Sequence, residues 1–384
     1  MNRKSTALLT AAFSALGMLV SGTAYAGQEL DLRADLGYDS NPFELNQTIG
    51  ERAGTYAELE AAFLAEGIAS TGWTKAAEVG ATAQMFESGM SDGNEAKYFV
   101  RVLGNSNEKR NEHGWEWSLQ AQMRDETYVS RFTGTVATDS LGNEIGDRYD
   151  KLTGDFHAAW HFPGSKFGRF SVEGAATYKN YLTDYEELGL ERLDYEEYEI
   201  RPGYDVGGRD QDLRIGLNYS QRKYLDRRVS DAAGNLVAGT DLEYQYYGFD
   251  TRFRRDLTRK NTLELTGGYD IRKDNGVGYD DRTRWYAGIG WTYRPGTDTR
   301  LVIDFEWNSR LLDNQVAGDP TINDEVPDKH GYEFNVRYTT PFPGLKSHGY
   351  QLYAEAGSES YDNSDDVRYA YDRTVAFIGI RKIF

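Results

Sequence analysis

The chain has 384 residues, a formal net charge of -18 and no cysteine. Disulfides, thiolate metal sites and cysteine nucleophiles are thereby excluded, and 61 Asp and Glu against 43 Lys and Arg argue against a nucleic-acid partner. The apolar share of 39% suits neither a bundle of membrane helices nor a disordered chain, while 28 Tyr and 41 Gly against 8 Pro favour strands over helices.

In chain order, the first element is a leader. Asn2, Arg3 and Lys4 make a basic start, an apolar stretch runs from Ala7 to Val20, and Ala24, Tyr25 and Ala26 supply a small-x-small site before Gly27. This reads as a secretory signal peptide over residues 1–26, with one mature domain over 27–384. Cleavage would take the formal charge from -18 to -20, because residues 1–26 carry Arg3 and Lys4 and no acid. Beyond the leader, no segment approaches the roughly 18 to 20 uninterrupted apolar residues of a spanning helix.

From Leu30 onward the chain alternates. Leu30, Leu32, Leu36 and Tyr38 share one parity, and Asp31, Arg33 and Asp35 the other. Ala57, Leu59 and Phe63 oppose Glu58 and Glu60; Trp115, Trp117 and Leu119 oppose Glu116, Ser118 and Arg124; Phe156 and Trp160 oppose Asp155 and His157. The pattern continues through Leu213–Tyr219, "WYAGIGWTY" at Trp285–Tyr293, Leu301–Trp307 and Tyr332–Tyr338. Period two marks strands whose faces meet different surroundings. Roughly 16 such segments have the length of a tilted membrane strand.

Aromatics cluster towards the ends of the apolar parity: Trp115, Trp117, Trp160, Trp285, Trp291, Tyr293, Trp307 and Tyr338. They are the candidate membrane girdle. The polar parity carries both signs, with Arg101 and Arg124, then Glu197, Glu199 and Arg201, then Arg214, Arg252, Arg254, Arg272 and Arg284, then Asp304, Glu306, Glu333 and Arg337. These are the candidate lumen-lining residues; they set a transverse field, pair across strands to brace the wall, or both. Bases are denser between Arg201 and Arg284, and acids dominate near the N-terminus.

Long connections near Asn41–Gly54, Arg131–Asp147, Leu182–Leu193, Asp226–Asp241 and Leu311–Lys329 alternate with short ones such as Gly207–Arg209 and Pro295–Asp298. The expected fold class is all-β: a transmembrane antiparallel up-and-down β-barrel of about 16 strands, within about 14 to 18. One water-facing side per strand keeps the mean hydropathy at -0.68. Two loops, Arg131–Asp147 and Leu311–Lys329, are the candidates to fold inward as constrictions.

The chain closes on "AFIGIRKIF", with Ile378, Ile380 and Phe384 on one parity. This run resembles the C-terminal signature of bacterial outer-membrane β-barrel proteins, porin-like ones included, although Lys382 stands where the family more often has Tyr. The resemblance implies an outer-membrane location, lipid as a partner, and reading of the last strand by the barrel assembly machinery. "LGYDSNPF" at Leu36–Phe43 resembles barrels linked to envelope export, such as the surface lipoprotein assembly modifier barrel. The same residues are also turn formers.

Little suggests chemistry. His157 and His161 lie roughly 13 Å apart along a strand, too far to share one metal, and no G-x-S-x-G segment occurs. "YDNSDDVRY" at Tyr361–Tyr369 reads as a solvated acidic loop ahead of a Ca²⁺ site. The expectation is a non-enzymatic, porin-like channel without cofactor or metal, passing small polar solutes or oligosaccharides by diffusion. The alternatives are the barrel of a polysaccharide or surface-lipoprotein export system, and a plugged structural or adhesion barrel. A homo-oligomer or periplasmic export partners remain open, and the acidic balance favours cations.

Overall fold

The structure, a computed structural model, describes residues 24–384 except 46–48, 51, 69–72, 107–111, 131–132, 140, 166, 184–192, 209, 313–327, 344–348 and 364–369. The alternating segments form sixteen strands: β1 (Ala24–Asp39), β2 (Gly54–Ile68), β3 (Trp73–Phe86), β4 (Glu95–Ser106), β5 (Gly114–Glu126), β6 (Lys151–His161), β7 (Arg169–Tyr181), β8 (Tyr195–Gly207), β9 (Gln211–Tyr224), β10 (Glu243–Thr258), β11 (Asn261–Asp274), β12 (Arg282–Tyr293), β13 (Arg300–Leu312), β14 (Asp328–Pro341), β15 (Tyr350–Asn363) and β16 (Tyr371–Ile383). Each pairs antiparallel with its sequence neighbours, and β16 returns to β1 to close the barrel. Closure pairs every strand on both edges, as hydrocarbon demands of a backbone that finds no hydrogen bonds there.

β1 begins at Ala24, three residues inside the expected leader. Its register with β2 is irregular between Tyr25 and Gly27 and continuous from Gly27↔Glu66 onward. Cleavage after Ala26 would therefore leave the regular ladder intact.

Register carries each face around the ring. Asp31, Arg33, Asp35, Gly37 and Asp39 of β1 stand opposite Ile383, Arg381, Gly379, Phe377 and Val375 of β16, and opposite Ala62, Glu60, Glu58, Tyr56 and Gly54 of β2. The other face presents large apolar side chains outward: Leu36 at 68% exposure, and Leu59, Leu119, Leu217, Ile289 and Ile378 around the ring. An apolar belt exposed on this scale is the lipid-facing surface of a membrane barrel.

On the inner face, rings lie flat over cross-strand glycines. A Cβ on Gly268 would come within 2.6 Å of the Tyr286 ring. Tyr56 covers Gly37 in the same way. Glycine at these positions lets the ring lie along the wall, so the aromatic fills less of the lumen.

Candidate functional site

All fourteen expected lumen residues fall on the inner face, as the registers show. Arg101 meets Glu78 of β3 at 3.9 Å, and Arg124 meets Glu95 of β4 at 2.8 Å and Glu126 at 2.7 Å. Arg201 binds Glu199 at 2.5 Å, Glu197 accepts from Arg222 at 2.7 Å, and Arg214 binds Glu173 of β7. Arg252 approaches Asp212 at 3.8 Å, Arg254 meets Asp256 at 3.9 Å, and Arg337 reaches Asp304 at 3.1 Å. Arg284 and Glu306 stand 4.0 Å apart, Glu333 accepts from the Tyr361 hydroxyl at 2.6 Å, and Arg272 donates to the Asp280 carbonyl. Some of these pairs, Arg124–Glu95, Arg222–Glu197 and Arg337–Asp304 among them, brace neighbouring strands, whereas Arg201–Glu199 and Arg254–Asp256 lie within one strand.

They are also unevenly spread around the ring. On β1–β3 the inner face carries Asp31, Asp35, Asp39, Glu58, Glu60 and Glu78, and its one described base is Arg33. The inner face of β9–β13 carries Arg214, Arg222, Arg252, Arg254, Arg272, Arg282, Arg284, Arg300 and Arg310, and almost as many acids, Asp212, Asp250, Asp256, Glu264, Asp270, Asp274, Asp304 and Glu306. β1 and β9 stand eight places apart in the ring of sixteen, so the acidic arc faces this nearly balanced one. A field then points across the lumen.

The eight girdle aromatics all lie on the outer face. Trp115, Trp117, Trp160, Trp291, Tyr293 and Tyr338 lie towards the short-turn ends of their strands, and Trp285 and Trp307 towards the long-loop ends. Trp115 stacks on Trp160 at 5.1 Å, and Trp285 meets Trp307 edge-on at 4.0 Å. Ile378, Ile380 and Phe384 also face outward, exposed, and the Phe384 amide donates to the Leu30 carbonyl at 3.0 Å. The Lys382 ammonium lies 4.0 Å from the centre of the Phe384 ring and 3.3 Å from the Tyr350 hydroxyl. It snorkels at the barrel end instead of entering the apolar belt.

Three features depart from the sequence reading. First, the inner face is not uniformly polar. Tyr56, Phe86, Val375 and Phe377 form an apolar patch covered by Phe43 and Met90 from the long-loop end. Second, a loop not singled out for it folds over the inner face: Val229 and Leu242, flanking and closing the 225–242 connection, pack on Tyr195, Tyr224 and Tyr244. The expected Arg131–Asp147 constriction instead docks sideways. Its Gly134 lies against Leu45 and Ile49, and its carbonyl accepts from Arg52 at 2.5 Å. Most of Leu311–Lys329 and of Tyr361–Tyr369 lies outside the described residues. At the mouth, burial pushes the Asp150 carboxyl up to about 6.

Third, "LGYDSNPF" is a seam as well as a turn. Asp39 is 1% exposed and Asn41 0%. Arg373 of β16 grips Asp39 with contacts of 2.6 to 3.1 Å, and Ser40 exchanges hydrogen bonds with the backbone of Thr374. Asn41 donates to the carbonyls of Leu45 and Asp372 and accepts from the Leu45 amide. Side chains therefore lock the first strand to the last at the long-loop end. His157 and His161 share the inner face but look to different acids, Glu173 at 3.8 Å and Glu116 at 3.4 Å.

No family model matches the chain, and no curated protein matches it in sequence. Its fold is similar to solved barrels. OccAB1 of Acinetobacter baumannii aligns at TM-score 0.50 with 9% identity over 95% of this chain and 99% of the other. A BenF-like porin from Pseudomonas fluorescens Pf-5 aligns at 0.49 with 11% identity over 94% and 99%. A bacterial polysaccharide outer membrane secretin aligns at 0.45 with 7% identity over 93% and 98%. The closed ring of sixteen strands, the outward apolar belt with its aromatics and the charged interior define a bacterial outer-membrane β-barrel of porin-like architecture.

Proposed function

We propose that the barrel is a passive, non-enzymatic channel for small polar solutes. The observation that carries this reading is the interior itself, with charges on every strand and an acidic arc over β1–β3 facing the arginine-rich but nearly balanced wall of β9–β13. Such a surface holds water and orients dipolar solutes. The export alternative drew on Leu36–Phe43, and those residues have a sufficient role in the seam. A partly plugged barrel is the second reading, favoured by the apolar covers at the mouth.

Residues 1–26 act as a removable leader on this reading. The assembly machinery reads the last strand through Ile378, Ile380 and Phe384. The fourteen inner-face residues named above set the solute filter.

Purified protein in planar bilayers is expected to give stable single-channel steps, with a reversal potential on the cation side because the mature chain carries a large negative charge. Absence of steps would remove the channel reading. An anion-side reversal potential would remove the charge argument alone.

A further inference from the structure

The outward face carries charge as well, and that charge is polarised along the barrel axis. At the long-loop ends of the strands, the lipid-facing parity holds the acids Asp125, Glu196, Glu243, Asp362 and Asp372. The two bases there are both matched by acids, Lys223 lying 3.9 Å from Glu243 and Lys273 2.6 Å from Asp281. At the short-turn ends the same parity holds Lys75, Arg255 and Lys382 and, among the described residues, no acid. Lys75 and Arg255 are exposed and make no ion pair or hydrogen bond among the described residues. The turns beyond do not restore an acidic balance. Glu112, Asp210 and Asp298 are matched by Arg259, Lys260 and Arg294, and the remaining turn sequence holds Lys109, Arg110, Lys166, Arg209 and Lys346 against Glu108. Each outward base also stands near an aromatic. Lys75 is directly opposite Gly104, and the Trp117 ring lies over that glycine, where a Cβ would overlap the indole. Trp291 follows Arg255 along one rung with Leu263 between them. Lys382 stands opposite Tyr350 and donates to its hydroxyl at 3.3 Å.

We infer that Lys75, Arg255 and Lys382 are contact sites for anionic phospholipid in the leaflet at the short-turn end, which is the periplasmic one. Belt aromatics mark headgroup depth, so each cation is placed where lipid phosphates lie. The long stems stay on the apolar wall while the ammonium or guanidinium reaches the headgroup. A lysine or arginine at an anionic surface favours that surface by about fivefold, and the acids of the other rim are repelled by it. The two rims are therefore suited to different leaflets, and the basic one takes a net-negative headgroup over a zwitterionic one. The inference needs the membrane barrel alone and is independent of conduction.

The test compares two lipids as quenchers of tryptophan fluorescence. Phosphatidylglycerol and phosphatidylcholine, each brominated in the acyl chains, are supplied in turn to the full barrel in mixed vesicles at low ionic strength. A Trp285→Phe, Trp307→Phe background silences the long-loop rim and leaves the tryptophans of the short-turn end. Phosphatidylglycerol should be favoured beside them by about threefold or more. Lys75→Gln and Arg255→Gln should each lower the preference, and the two combined with Lys382→Gln should bring it to parity. Lys223→Gln, which removes an ammonium already matched by Glu243 at the other rim, should leave it unchanged. Retention of the heat-dependent gel shift establishes that each variant is folded, and the single variants decide the matter where the triple one does not fold. Equal quenching by the two lipids in the parent, or a preference that every folded variant keeps, overturns the lipid contact.

Discussion

Arg373→Leu is expected to destabilise the folded barrel by about 3–5 kcal/mol, the usual effect of leaving one member of a buried ion pair behind. The pair closes the ring: Asp39 is 1% exposed, ends β1, and receives three guanidinium contacts from β16. Without the cation the carboxylate is stranded in the seam, and Glu359 loses its 3.2 Å partner as well. Adding Asp39→Asn should recover part of the loss, since the stranded charge is then gone. Asn41→Ala attacks the same closure differently. It orphans the Leu45 amide and the Leu45 and Asp372 carbonyls, at about 1–3 kcal/mol for each group that stays dry. Urea titration of folding into lipid vesicles reads all three variants. A loss below about 1 kcal/mol for Arg373→Leu would mean that the backbone ladder alone closes the barrel.

Replacing residues 229–239 by a short glycine-containing turn is expected to raise single-channel conductance several-fold and leave the ring assembled. Val229 and Leu242 cover Tyr195, Tyr224 and Tyr244, which would otherwise face the water of the lumen. Strand pairing on either side, Tyr195↔Tyr224 and Arg222↔Tyr244, is made by the backbone and does not need the cover. Deleting Thr133–Glu144 should change conductance far less, because that loop leans on its neighbour at Leu45 and Ile49. Equal conductance of the 229–239 variant and the parent would show that the loop does not obstruct the pathway.

The ring of strands was legible because its signal is local. Leu32, Leu36 and Tyr38 against Asp31, Arg33 and Asp35 announce two surroundings within one strand, and each further strand repeats the announcement. The face on which each candidate lumen charge and each candidate girdle aromatic falls followed from that parity. Partners did not follow. Arg373 and Asp39 are 334 residues apart, and no local period pairs them. A buried seam could have been suspected from the run Asp39, Ser40, Asn41, whose side chains seek backbone partners, but such runs more often cap turns. The apolar inner patch was hidden for another reason. Tyr56 and Phe86 sit on the polar parity near strand ends, where one exception looks like a boundary, and Phe377 is a lone exception in mid-strand. The inward loop at 225–242 was unreadable because loop composition fixes polarity and not direction. The cross-strand partners of the inner charges needed the register: Arg284 stands opposite Arg310 and Arg33 opposite Arg381, and one residue of slip would put either pair on opposite faces.

The proposition beneath all of this is that alternate residues of each strand meet lipid and water. The absence of native cysteine makes it directly measurable by placing single cysteines along β13 in vesicle-embedded barrel and following their reaction with a charged, water-soluble thiol reagent. Asp304→Cys, Glu306→Cys and Asn308→Cys should react readily, and Ile303→Cys, Phe305→Cys and Trp307→Cys should stay protected. Uniform reactivity, or the opposite alternation, would contradict the account.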